Sequence, residues 1–179
     1  MGWTGTYKSP YQTVKQFFQQ EFNSKDGTRY IIDCAVVKRN TAYIAYKCDD
    51  NKVVGIVCLI NYNARSSHNF AYKDMDEDMG PGAAECPERI LKLLTPTEHP
   101  WAKEWREKCW TNLQKRKDLT TKLKAGNILK LAAPIQLTNG ASIDIIKVVN
   151  PKSTRFWCEQ IYGNVRLPKR TLYNCTVIT

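Results

Sequence analysis

The side chains best placed to do chemistry in this sequence are cations. Lys103, Arg106, Lys108, Lys115, Arg116, Lys117, Lys122, Lys124 and Lys130 make the densest basic stretch, opposed there by Glu104, Glu107 and Asp118. Lys115-Arg116-Lys117 covers nearly a full helical turn, more than one buried face accepts, so these side chains are solvated or engaged with a partner. Farther on, Lys152, Arg155, Arg166, Lys169 and Arg170 outnumber Glu159, with Trp157, Tyr162 and Tyr173 interleaved. Cations beside aromatic rings suit phosphates and unpaired bases, although a packed core uses the same aromatics. The candidates for nucleic-acid contact are Lys115, Arg116, Lys117, Lys122, Lys124, Lys130, Lys152, Arg155, Arg166, Lys169 and Arg170.

The acidic counterpart is Asp74-Met75-Asp76-Glu77-Asp78-Met79-Gly80. Counting from Asp74, Asp76 and Asp78 fall at positions three and five and Glu85 at twelve, the spacing of a calcium-binding loop. Met79 stands where that loop turns on Gly, and Pro81 lies within it. The preferred reading is an acidic loop of Asp74, Asp76, Glu77 and Asp78 that pairs with the basic helix or with a protein partner, with no metal and no cofactor. Cys86 precedes a helix start, where the dipole can lower a thiol pKa, and His68 or His99 would be its base. Nothing resembles a P-loop, a Gly-rich dinucleotide turn, a Gly-x-Ser-x-Gly elbow or a His-Glu-x-x-His helix, so binding is expected rather than catalysis.

Composition sets the frame for both patches. The 179 residues carry 27 Lys and Arg against 17 Asp and Glu, a net charge of +10, and polyanions are the natural partners of such an excess. No apolar run approaches the roughly 18–20 residues of a membrane span. The N-terminus reads as no export signal. None of the seven cysteines forms a Cys-x-x-Cys pair, so they read as reduced, mostly buried thiols of a cytoplasmic protein.

The elements that must position these residues are legible in outline. Ser9-Pro10-Tyr11-Gln12 reads as a helix start, and Tyr11, Val14, Phe18 and Phe22 then fall on one apolar face. Tyr30 to Lys38, Thr41 to Lys47 and Lys52 to Ile60 read as a three-stranded meander, the third strand apolar on both faces. Asn61 to Glu85 is polar. A short helix follows Pro87, and a longer one, capped at Thr97, carries Trp101, Trp105, Cys109 and Leu113. Beyond Gly126 come five short β-runs, 127–131, 135–137, 143–149, 155–162 and 172–178, with Asn139-Gly140 as a two-residue hairpin signal. The expected fold is α+β: an N-terminal helix on a three-stranded antiparallel sheet, two further helices, and a small SH3-like β-barrel or sheet, divided as 1–125 and 126–179.

An ordered set of motifs resembles a family of uncharacterised small proteins of bacteriophages and mobile elements, a domain of unknown function. It consists of Met1-Gly2-Trp3-Thr4, Phe70 to Glu77 with Met79-Gly80-Pro81, Glu85-Cys86-Pro87 with Ile90-Leu91, Leu94 to Thr97, and Glu104-Trp105-Arg106 with Cys109. The match weakens after Gly126. The resemblance implies context rather than mechanism, with no catalytic residues to transfer. Its sharpest implication is a non-enzymatic inhibitor of host defence in a bacterial cell, acting on nucleic acid or on a nucleoprotein such as a Cas9-like nuclease with its guide RNA. The alternatives are a protein–protein inhibitor whose acidic loop mimics phosphate, and a small cysteine-dependent enzyme.

Overall fold

Thr13 opens the first helix. Its hydroxyl accepts from Gln16 N at 3.2 Å while Gln16 Oε1 accepts from Thr13 N at 2.9 Å, a capping box closed from both sides. The expected start at Ser9 is therefore corrected: Ser9 to Gln12 is a turn, with Gln12 N donating to Ser9 O at 3.1 Å, and Tyr11 is 97% exposed instead of buried. The computed structural model describes residues 3–25, 28–37, 40–60, 67–75 and 84–178. Two compact units divide the chain, Met1–Thr111 and Asn112–Thr179, so the boundary falls inside the long helix, ahead of the change of character at Gly126.

The first unit holds β1 (Thr4–Thr6), α1 (Val14–Lys25), β2 (Tyr30–Val37), β3 (Thr41–Lys47), β4 (Val53–Ile60), β5 (Phe70–Asp74), α2 (Glu88–Leu91) and the start of α3 (Pro100–Lys122). The expected meander β2-β3-β4 is present, but the sheet has five strands in the order β1-β5-β4-β3-β2, all antiparallel. Phe70-Ala71-Tyr72 pairs with both β4 and β1, in a stretch whose polar flanks read as loop.

Val14, Phe17, Phe18 and Phe22 of α1 pack on Ala42, Ile44, Ile56, Cys58 and Phe70, with rings edge to face: Phe17 and Phe70 centroids lie 5.0 Å apart, Phe18 and Tyr72 5.1 Å. Tyr43, Ala45 and Val57 point to the opposite face, where the Tyr43 and Trp105 rings stack at 6.4 Å. Gly55 lets that face close, because a Cβ there would meet Met75 Sδ at 2.5 Å. The middle strands are buried on both sides, as their unbroken apolar runs require. In α3, Pro100 takes the first helical position. The expected stripe turns out of the core, since strict four-residue spacing drifts about 40° per step. Trp105 and Cys109 are buried while Trp101 is 56% exposed.

The second unit joins the end of α3 to β6 (Ile128–Gln136), β7 (Ser142–Lys147), β8 (Arg155–Cys158), β9 (Gly163–Arg166) and β10 (Thr176–Val177), with single 3-10 turns at Glu159–Ile161 and Lys169–Leu172. The five strands form one antiparallel sheet in the order β10-β6-β7-β8-β9. The runs differ from those expected. Residues 127–131 and 135–137 fall in one strand interrupted by a register shift between Lys130 and Ile135, and 155–162 breaks at the 3-10 turn. The hairpin at Asn139-Gly140 is longer than two residues: Leu137 N donates to Ala141 O at 2.8 Å around Thr138-Asn139-Gly140, and Gly140 takes φ 81°. Leu129, Leu131, Ile143, Ile146, Phe156, Val165 and Leu172 form the core, closed by Leu119 and Leu123 of α3. Among the described residues no helix is long and apolar enough to cross a membrane.

Candidate functional site

Charge divides between the units unevenly. Asn112–Thr179 carries twelve Lys and Arg against three Asp and Glu, net +9 of the chain's +10, whereas Met1–Thr111 carries fifteen against fourteen. The cations at the start of α3 belong to the balanced unit and have partners of their own. Lys103 pairs with Glu98, Lys108 with Glu104, and Arg106 donates to Thr95 O at 2.7 Å.

The candidate cations of the second unit occupy three settings. On α3, Leu119 and Leu123 face the core, so Lys115, Arg116 and Lys122 flank the buried stripe and Lys117 lies on its far side. Arg116 Nε donates to Tyr173 OH at 3.3 Å and Lys122 Nζ to Cys175 O at 2.7 Å, which fastens the helix to the chain end; Lys124 is exposed just beyond. Lys152, Lys169 and Arg170 are exposed in turns.

The third setting is the outer face of the sheet, where pairing fixes which side chains stand together. Ile128, Lys147, Trp157 and Asn164 lie opposite one another across β6, β7, β8 and β9; beside them Lys130 faces Ile145, and Arg155 faces Arg166. Alternation puts these residues on one side and Leu129, Ile146, Phe156 and Val165 beneath. Among the described residues Lys130, Lys147, Arg155 and Arg166 make no ion pair. Two like charges directly opposite in a sheet are destabilising, so Arg155 beside Arg166 is an arrangement that folding alone does not favour.

Aromatic and apolar surface accompanies the cations. Tyr162, 86% exposed, sits at φ 50°, a left-handed conformation unusual for an aromatic residue, and its ring meets Trp157 edge to face at 5.7 Å. Trp157 and Lys147 border two depressions. One, of about 140 Å³, is lined also by Ile128, Ile145, Glu159 and Gln160; the other, of about 590 Å³ and open, by Gly126, Val149 and Asn164. Gln160 ties the first to the sheet, since its Nε2 donates to Asp144 Oδ1 at 2.8 Å and its Oε1 accepts from Asp144 N at 3.0 Å.

Lys147 escaped the sequence reading because it stands alone among apolar residues; only the register places it between Ile128 and Trp157. Tyr173, grouped with the aromatics by sequence, is instead half-buried against the core.

The other candidate chemistry fares differently. Asp74 ends β5, while Asp76, Glu77 and Asp78 lie outside the described residues. Among the described residues no cluster of His, Cys, Asp and Glu could hold a metal ion. Cys86 is fully buried, and burial pushes its thiol well above the ordinary range, reinforced by Cys109 and only partly offset by Arg106. A thiol so placed is protonated near neutrality.

The sequence model of a domain of unknown function (DUF6927) matches residues 96–170. The match takes in α3 and the second unit as far as the turn at Lys169–Leu172, so similarity extends through the β-unit, where the motifs read from the sequence had thinned out. No curated protein and no solved structure matches the chain.

Proposed function

We propose that Asn112–Thr179 is a non-enzymatic nucleic-acid-binding module and that its principal contact surface is the outer face of the sheet. The observation that carries this reading is the uncompensated row Lys130, Lys147, Arg155 and Arg166 around Trp157, in a unit of net charge +9. Phosphates placed between Arg155 and Arg166 relieve their repulsion and release counterions. The strand order β10-β6-β7-β8-β9, with a 3-10 turn before the last strand, supports a small SH3-like barrel as the scaffold. Lys115, Lys117 and Lys124, with Lys152, Lys169 and Arg170, add a longer-range field that steers a polyanion towards the module. On this reading the protein works in the cytoplasm of a bacterial host, on nucleic acid or on a nucleoprotein such as a CRISPR-type nuclease with its guide RNA. The burial of Cys86 favours binding over thiol chemistry.

The test is the salt dependence of binding. Anisotropy of a labelled oligonucleotide with the full chain, over roughly 50–200 mM salt, should give a log–log slope that falls by about 2–3 when Lys147, Arg155 and Arg166 are replaced by Ser, each phosphate contact contributing about 0.7–0.9. Replacing Lys115, Lys117 and Lys124 should cost less. Wild-type affinity and slope in both variants would sink the proposal.

A further inference from the structure

We infer that the ligand of this face is single-stranded, with unpaired bases stacked on Trp157 and Tyr162; the inference rests on the nucleic-acid reading above and narrows it. A duplex presents phosphates and base edges but hides the faces of its bases, so a surface made only for duplex has no use for outward-turned rings. Here Trp157 stands on the cationic face, and Tyr162, from the turn that joins β8 to β9, packs against it. Trp157 is flanked by open space, with Lys147 on the border of both depressions. Tyr162, exposed at the left-handed position that caps the 3-10 turn Glu159–Ile161, adds a second ring at 70° to that of Trp157.

The charges around the rings give the strand a direction across the face. Glu159 lines the smaller depression and repels a phosphate, while its carboxylate can accept from a base N–H, such as the ring N3–H of thymine or uracil. Arg155, two residues before Trp157 on β8, faces Arg166 on the neighbouring β9, and the pair attracts the backbone. The bases therefore enter the depression edged by Ile128, Ile145 and Gln160, with the sugar–phosphate chain following Lys147 and the two arginines. Ile128 and Ile145 give the floor an apolar lining on which a base loses little by leaving water.

The experiment compares an oligodeoxythymidylate of about 12 nucleotides, an oligouridylate and a duplex of the same length against the full chain at one salt concentration. Single strands should bind about tenfold or more tighter than duplex, and binding of the DNA strand, the RNA strand or both supports the platform. Trp157→Ser should weaken single-strand binding about tenfold, and Trp157→Phe should keep most of it. Because Trp157 is half-buried, Tyr162→Asn is the second variant: the residue is exposed, and Asn tolerates its left-handed backbone. It too should weaken single-strand binding with the salt slope unchanged, since no cation is removed. Equal affinity for both forms with a neutral Tyr162→Asn, while the Lys147, Arg155 and Arg166 variant still loses slope, overturns the platform and leaves the nucleic-acid reading standing. Failure to bind any of the three probes overturns both.

Discussion

The chain builds a five-stranded antiparallel sheet twice and finishes its two faces in opposite ways. In Met1–Thr111 both faces are covered: α1 lays Phe17, Phe18 and Phe22 on one, and Met75, Leu94 and Trp105 meet Gly55 and Tyr43 on the other. Its charges nearly cancel. In Asn112–Thr179 one face holds the core and the other stands open, carrying Trp157 among four cations. Stability alone would pair or neutralise that row. The contrast teaches that the first unit is shaped by packing, and that the second leaves exposed what packing would have hidden.

The comparison breaks first at high pH. Burial raises the pKa of Tyr43, Tyr46, Cys34, Cys48, Cys58 and Cys86 in the first unit, and of Cys175 in the second. A group whose folded pKa is raised gives stability that is complete below its unfolded pKa and is lost as pH climbs past it, here from about 8.5 for thiols and about 10 for phenols. Met1–Thr111 should therefore unfold first under alkali, Tyr43 and Tyr46 ionising together with loss of near-ultraviolet circular dichroism. Gradual titration of these two phenols with the signal intact would show that Tyr43 and Tyr46 are not sealed in the core.

A smaller effect sharpens the comparison from the other side. Arg166→Thr removes one of two facing like charges and should raise stability by about 0.2–1 kcal/mol, seen as a higher Tm, while lowering the salt slope of binding by about 0.7–0.9. A gain in stability with a loss in binding marks a residue kept for its partner. A lower Tm with unchanged binding would make Arg166 a structural residue.

Much of the packed half could be read from residue order. Val53 to Ile60 is apolar at nearly every position, which requires cover on both faces, and α1 supplies one of them. Strands β1 and β5 escaped because each is short and their pairing, Thr4 with Tyr72 and Thr6 with Phe70, is distant in sequence. The cap expected at Ser9 moves to Thr13 because Gln16 reaches back to it, a contact the Ser9-Pro10-Tyr11-Gln12 pattern concealed. In the second unit charge was legible but arrangement was not. Composition names the cations; register alone puts Arg155 opposite Arg166 and brings Lys147 between Ile128 and Trp157, while a long-range hydrogen bond fastens Lys122 to Cys175 O.

The central claim is that the open face of the second sheet is the binding surface, and chemical-shift mapping tests it most directly. Titrating the isotopically labelled full chain with a short single-stranded oligonucleotide should shift the amides of Lys130, Ile145, Lys147, Arg155, Trp157 and Arg166 and leave α1 and its sheet unmoved. Shifts confined to Met1–Thr111, or none at saturating oligonucleotide, would contradict the account.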